Sequence, residues 1–187
     1  MTDPRFVSSP KGIAAGIVAM VGIVGLSNYA VQFPINDWLT WGALTYPVAF
    51  LVTDLTNRTL GPKAARVVIC VGFALAVVLS VWLATPRIAI ASGTAFLVAQ
   101  LLDVAIFNRL RTGTWWRAPL VSSTLASIVD TALFFSIAFA ATGLPWITWA
   151  VGDFGAKMVM AAVMLLPFRL LMPALRPRLA GPDLPTA

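Results

Sequence analysis

There is no histidine in the 187-residue sequence, and only one cysteine, Cys70. Without an imidazole, Ser–His and Cys–His catalysis is excluded. One cysteine cannot close a disulfide within the chain, and His/Cys metal sites lack their ligands. No metal and no cofactor is therefore expected. No phosphate-binding loop of the P-loop type occurs, which argues against direct ATP use by this chain. Charge is scarce too: 11% of residues are charged, against about 25% in a soluble domain. So few charges cannot cover a water-facing surface.

What is there is apolar. Hydrophobic residues make up 59% of the chain and the mean hydropathy is +0.89. They fall in runs of roughly 17–25 residues, the length that crosses a hydrocarbon core of about 30 Å. The pattern predicts an all-α integral membrane protein with six transmembrane helices, at about residues 12–32, 41–60, 64–84, 88–108, 119–142 and 146–172. The whole chain, 1–187, reads as one transmembrane domain. It has a short polar N-terminus (1–11) and a Pro-rich tail (173–187) expected to be disordered. The first run is longer than the 7–15-residue core of a signal peptide, so it is read as a span. Pro47 in the second run has two readings. It marks either an interrupted span of the kind that forms transporter sites or the harmless first turn of a helix.

The net charge of +6 does not point to nucleic acid, because the basic residues sit between the hydrophobic runs. Arg5, Lys11, Arg58, Lys63, Arg66, Arg109, Arg111, Arg117, Arg169, Arg176 and Arg178 all fall on one side of a six-span chain, and Arg87 alone on the other. By the positive-inside rule both termini are expected in the cytoplasm of a multi-pass bacterial inner-membrane protein. Trp115, Trp116, Trp146 and Trp149 lie near span ends, as interfacial anchors do. The loop arginines are expected to set topology and to touch anionic membrane lipids. Gly12, Gly16, Gly22 and Gly25 are expected to let the first helix pack closely.

Ionisable residues inside a membrane cost at least about 2.5–3.5 kcal/mol each on insertion scales, and they mark function or pairing. Asp54, Asp103, Asp130, Asp153 and Lys157 fall within the runs. Gln100, Asp103 and Phe107 share one helix face, as do Ser123, Ser127, Asp130 and Phe134. Asp103-Val-Ala-Ile-Phe107 and Asp130-Thr-Ala-Leu-Phe134 look alike, as if two helices turned similar faces into a shared interior. Such a lining of carboxylates, amides, hydroxyls and rings suits a flat, nitrogen-rich, hydrogen-bonding solute. The bland alternative is that the polar side chains act as interhelical glue. Asp153 and Lys157, four apart, form an intrahelical ion pair, or else Lys157 reaches into the cavity to neutralise another carboxylate. Asn28 lines the cavity or caps its helix.

Tyr46-Pro47-Val-Ala-Phe-Leu-Val-Thr-Asp54-Leu-Thr-Asn57, running on to Gly61-Pro62-Lys63-Ala-Ala-Arg66, resembles the second span of the queuosine precursor transporter family, also called the vitamin-uptake-transporter-like group. Two further blocks are similar: Ala91-Ser92 to Phe107, with Gln100 and Asp103, and Trp116-Arg117 with Ser122-Ser123 and Ile128-Val129-Asp130-Thr131. Asn28 and Lys157 match family positions in the first and last spans. The resemblance covers most of residues 25–170. It implies import of a 7-deazaguanine precursor of queuosine, such as 7-cyano-7-deazaguanine, by a non-enzymatic carrier. At Arg58 the family often carries an acid, so the charge is reversed here, and a role for that acid does not transfer.

The expected site is Asp103 and Asp130 on the purine's N–H edge, with Gln100, Asn57 and Ser127 on its carbonyl and ring nitrogens. Phe107 and Phe134 stack on the ring, with Asp54 and Asn28 nearby. Asp54, Lys157 and Asp153 are candidates for coupling or charge balance. The expected partners are the deazapurine-like substrate and membrane lipids, and a homodimer suits the short chain. Rival readings are a substrate-capturing subunit of an ATP-driven importer, an intramembrane enzyme using paired aspartates, and a membrane subunit with no ligand.

Overall fold

The computed structural model describes residues 9–30, 33–36, 38–83 and 86–179. Seven helices make up nearly all of it: α1 (Pro10–Ala30), α2 (Trp41–Thr45), α3 (Val48–Leu60), α4 (Pro62–Leu83), α5 (Pro86–Leu110), α6 (Arg117–Phe139) and α7 (Trp146–Leu179). Their ends follow from local chemistry. Proline opens α1, α4 and α5, where its fixed φ suits the first turn and its missing N–H costs nothing. The Ser9 hydroxyl accepts the Gly12 N–H at the start of α1 (3.4 Å). α3 stops at Gly61, whose φ of +87° turns the chain directly into α4.

Four helices among the described residues are long and apolar enough to cross a membrane: Pro10–Ser27, Pro86–Leu110, Arg117–Phe139 and Trp146–Leu175. Polarity is inverted relative to a soluble protein. Asp54, Asn57, Gln100, Asp103, Asp130 and Lys157 are buried, while Val18, Ile90, Val159, Leu166 and Leu170 are exposed. An apolar exterior around a polar interior is what a hydrocarbon solvent selects.

The run at 41–60 is not one helix. It breaks at Tyr46–Pro47 into α2 and α3. At 13 residues, α3 is only about 20 Å long, too short to span alone. It is the central helix of the bundle, packed by α1, α4, α5, α6 and α7. The loop expected at 33–40 contains a small antiparallel pair, β1 (Pro34–Asn36) and β2 (Leu39–Thr40). The Asn36 side-chain oxygen ties its turn by accepting the N–H groups of Trp38 and Leu39, both at 2.9 Å. At the other end, α7 continues to Leu179, seven residues beyond the expected limit at 172. Residues 173–179, read from the sequence as the start of the tail, are helical. Residues 180–187 lie outside the described residues.

α1 and α4 pack through Met20, Val24, Val68 and Ile69. Gly16 faces Val68 as expected, but Gly22 meets nothing within 4 Å. The tightest approach is instead at Gly72 of α4, where an added Cβ would sit 2.5 Å from Met20 Cγ.

Candidate functional site

A narrow cleft opens where α2 and α3 break, bounded by three helical stripes. Pro47, Phe50, Leu51 and Asp54 come from the break and α3, and Pro119, Ser123 and Ser127 from α6. Lys157, Ala161, Met164, Leu165 and Phe168 come from α7. Each set repeats at three or four residues, so each helix presents one face. The space inside is about 20 Å³, enough for a water molecule and far short of a bicyclic ring.

On one flank lies an ion cluster. Lys157 Nζ donates to Asp130 Oδ2 at 2.7 Å and pairs with Asp153 Oδ2 at 2.5 Å. Thr131 bridges them: its hydroxyl donates to Asp153 Oδ2 (2.8 Å) and accepts from Lys157 Nζ (3.1 Å). The Tyr46 hydroxyl donates to Asp130 Oδ1 at 3.3 Å, and its ring lies under the ammonium, 5.7 Å from Nζ to centroid. Thus both readings of Lys157 hold at once: it pairs within its own helix and also neutralises a carboxylate of α6.

On the other flank, Asp54 of α3 lies beside Asp103 of α5, with the hydroxyls of Ser122 and Ser123 next to the pair. Ser123 Oγ donates to Asp54 Oδ2 at 3.4 Å. Behind them the Thr53 hydroxyl donates to Gln100 Oε1 at 2.5 Å. Both Asp103 oxygens, Asp54 Oδ1 and Gln100 Nε2 are buried without a hydrogen-bond partner among the described residues.

Of the residues expected at the site, Asp54 and Ser127 line the cleft together with Lys157, while Asp103, Asp130 and Gln100 stand behind its wall. The two look-alike aspartates both face the interior, but they do not share a partner. Asn57 is held elsewhere: its Nδ2 donates to Val104 O (3.2 Å), and Arg111 Nη2 donates to its backbone O (2.8 Å) and to Oδ1 (2.6 Å). Arg111 is thus more than a topology signal, since it clamps the end of α3 to α5. Phe107 packs edge-on against Phe168, with ring centroids 6.2 Å apart, and Phe134 joins Phe135 and Phe139. Neither is a cleft ring; those are Phe50 and Phe168. The side chain of Asn28 lies outside the described residues. Tyr46, Thr131 and Phe168 escaped the sequence reading of the site, although Tyr46 and Thr131 sit inside the quoted blocks, and Ser123 was placed on the right face without a role.

A family model described as "Putative vitamin uptake transporter" matches residues 40–85 and 80–172. The chain belongs to the vitamin-uptake-transporter family. Among curated proteins, the "Probable queuosine precursor transporter" of Haemophilus influenzae is 37% identical, with 89% of each chain aligned. The "Queuosine precursor transporter" of Escherichia coli is 35% identical over 84% of this chain and 85% of its own. A "Probable queuosine precursor transporter" of Bacillus subtilis is 25% identical over 54% of this chain. No solved structure matches. As a member of this family, the chain is a multi-pass bacterial membrane protein with a role in transport and not catalysis. Its matched region contains the α2–α3 break and every described residue of both polar flanks.

Proposed function

We propose that this protein imports a queuosine precursor of the 7-deazaguanine type, such as 7-cyano-7-deazaguanine, across the bacterial inner membrane. The observation that carries the reading is the cleft between α3, α6 and α7. It combines a carboxylate (Asp54), two hydroxyls (Ser123, Ser127), an ammonium (Lys157) and two aromatic rings (Phe50, Phe168). A guanine-like base needs these groups: a carboxylate accepts two N–H bonds from its amidine-like edge, hydroxyls and ammonium meet its carbonyl and ring nitrogens, and rings cover its faces. Relatives named as queuosine precursor transporters support that substrate.

In this reading Asp54 holds the N–H edge, with Asp103 and Gln100 as a second layer. Asp130 and Asp153 hold Lys157 in place. The chain crosses six times, with α2 and α3 together forming the second span, and both termini face the cytoplasm. Arg87, the one basic residue on the far side, supports this orientation, because it has another task. Its Nε donates to Ile137 O (2.9 Å) and its Nη2 to Ala140 O (2.6 Å), satisfying the last carbonyls of α6. Substrate entry requires α3, α6 and α7 to part, consistent with a carrier whose broken helix works against a bundle.

The test is uptake of labelled deazapurines into cells that cannot make their own precursor. Cells carrying the protein are expected to accumulate the base and to restore queuosine in tRNA. Asp54→Asn and Ser127→Leu are expected to abolish this at normal membrane abundance. Equal accumulation with and without the protein rejects the proposal.

A further inference from the structure

Asp130 and Asp153 have a resident cation in Lys157; Asp54 and Asp103 do not share it. The second pair is 3% and 0% exposed, and three of its four carboxylate oxygens have no hydrogen-bond partner among the described residues. Ser27 Oγ and Gln100 Nε2 are also left without a partner among the described residues, but Asn57 bonds on both sides of its amide, and Thr53, Thr56 and Thr59 each donate. Two adjacent carboxylates in a low-dielectric interior are strongly unfavourable unless a positive charge sits with them.

Among the described residues, the charged groups around the pair are engaged with other partners. α1 and α4, packed against the back of α3, turn Met20, Ala65 and Val68 inward. Just after α5, Arg111 donates to Asn57, and on α3, Arg58 Nη1 donates to Arg111 O. α6 brings Ser122 and Ser123, and its Asp130 is bound to Lys157 and Tyr46. The pair brings two carboxylates together with the Ser122 and Ser123 hydroxyls, an all-oxygen donor set of the kind that hard cations take. Asp54 also lines the cleft, so such an ion has a route in and out.

We propose that Asp54 and Asp103, with Ser122 and Ser123, form a binding site for an exchangeable monovalent cation, a proton or a sodium ion, that travels with the substrate. The proposal rests on the transport reading for its purpose, but not for its existence. Occupancy changes the charge that Asp54 presents to the cleft, so cation and substrate affinities are linked, and the linkage is reciprocal.

The site is tested first without substrate. The purified protein is melted in sodium chloride and in matched choline chloride at fixed pH, and then across a pH series without sodium. Infrared difference spectra monitor the carboxyl carbonyl bands. A rise of several degrees with sodium, lost in Asp103→Asn and Asp54→Asn, assigns sodium. A response to pH alone, with a carboxylic-acid band missing in Asp103→Asn, assigns the proton. Wild-type protein whose melting and carboxyl bands respond to neither overturns the site, and this needs no variant to fold. Substrate affinity is then measured with the site full and empty, and a change of about tenfold is expected. Absence of deazapurine binding under all conditions rejects the transport reading while leaving the cation result standing.

Discussion

Among the described residues, Lys157 is the only lysine or arginine that is buried. Its neighbours are two carboxylates, a hydroxyl and a ring, so it cancels charge that the bundle could not otherwise hold. Replacing it with methionine strands Asp130 and Asp153, and the expected loss of stability is about 3–5 kcal/mol. Adding Asp130→Asn to that variant is expected to recover part of the loss. Denaturation of the two singles and the double in detergent measures the coupling, and strict additivity would exclude the pair as a structural unit. Tyr46→Phe removes only the donor to Asp130 Oδ1. It is expected to cost about 0.5–1.5 kcal/mol, with expression intact and uptake reduced. The residue scale is also where the sequence was hardest to read. Asp103 and Asp130 sit in near-identical pentapeptides, yet one has Lys157 as partner and the other Asp54. The pentapeptides differ at Thr131 against Val104, which gives Asp130 a neighbouring hydroxyl, but the charged partners lie on other helices, 27 residues away for Lys157 and 49 for Asp54.

At the scale of elements, α3 was half legible. Its span, its proline and its carboxylate were all visible in the chain, and so was the option of an interrupted helix. Its central position was not, because its short length and its ten buried residues depend on helices that close around it. The α1–α4 seam makes a separate prediction. Gly72→Ala puts a methyl against Met20 and is expected to destabilise the fold by about 1–3 kcal/mol. Met20→Ala in the same chain removes the obstructing atoms, so the double variant is expected to melt closer to Met20→Ala than the two losses together would give. The clamp at the end of α3 behaves differently. Arg111→Ala leaves Asn57 Oδ1 without its donor, while the Asn57 backbone carbonyl keeps only the Gly61 N–H. The expected cost is about 1–3 kcal/mol, seen as faster proteolysis between α3 and α5.

For the whole molecule, the cleft is too small for a ring in this conformation, so transport demands a second one. The single native cysteine makes this simple to follow. In a Cys70→Ser background, a cysteine placed at Ser127 is expected to react slowly with a water-soluble thiol reagent at rest. It is expected to react at a different rate when deazapurine is present. A rate indifferent to every ligand and ion would mean that the cleft does not open. Thiol tags at the two chain ends, probed from each side of the membrane, test the orientation separately.

Sequence alone determined that the chain lives in a membrane, where most of its helices begin and end, and which family it resembles. These properties are local: hydropathy adds up along a run, and proline and glycine act on their own turn. The tertiary structure decided which buried polar groups meet. Rotation of a helix about its axis by one residue, about 100°, changes every partner while leaving its hydropathy untouched. For that reason Asp54 and not Asp130 adjoins Asp103, Lys157 serves two carboxylates, and the cleft rings are Phe50 and Phe168 in place of Phe107 and Phe134.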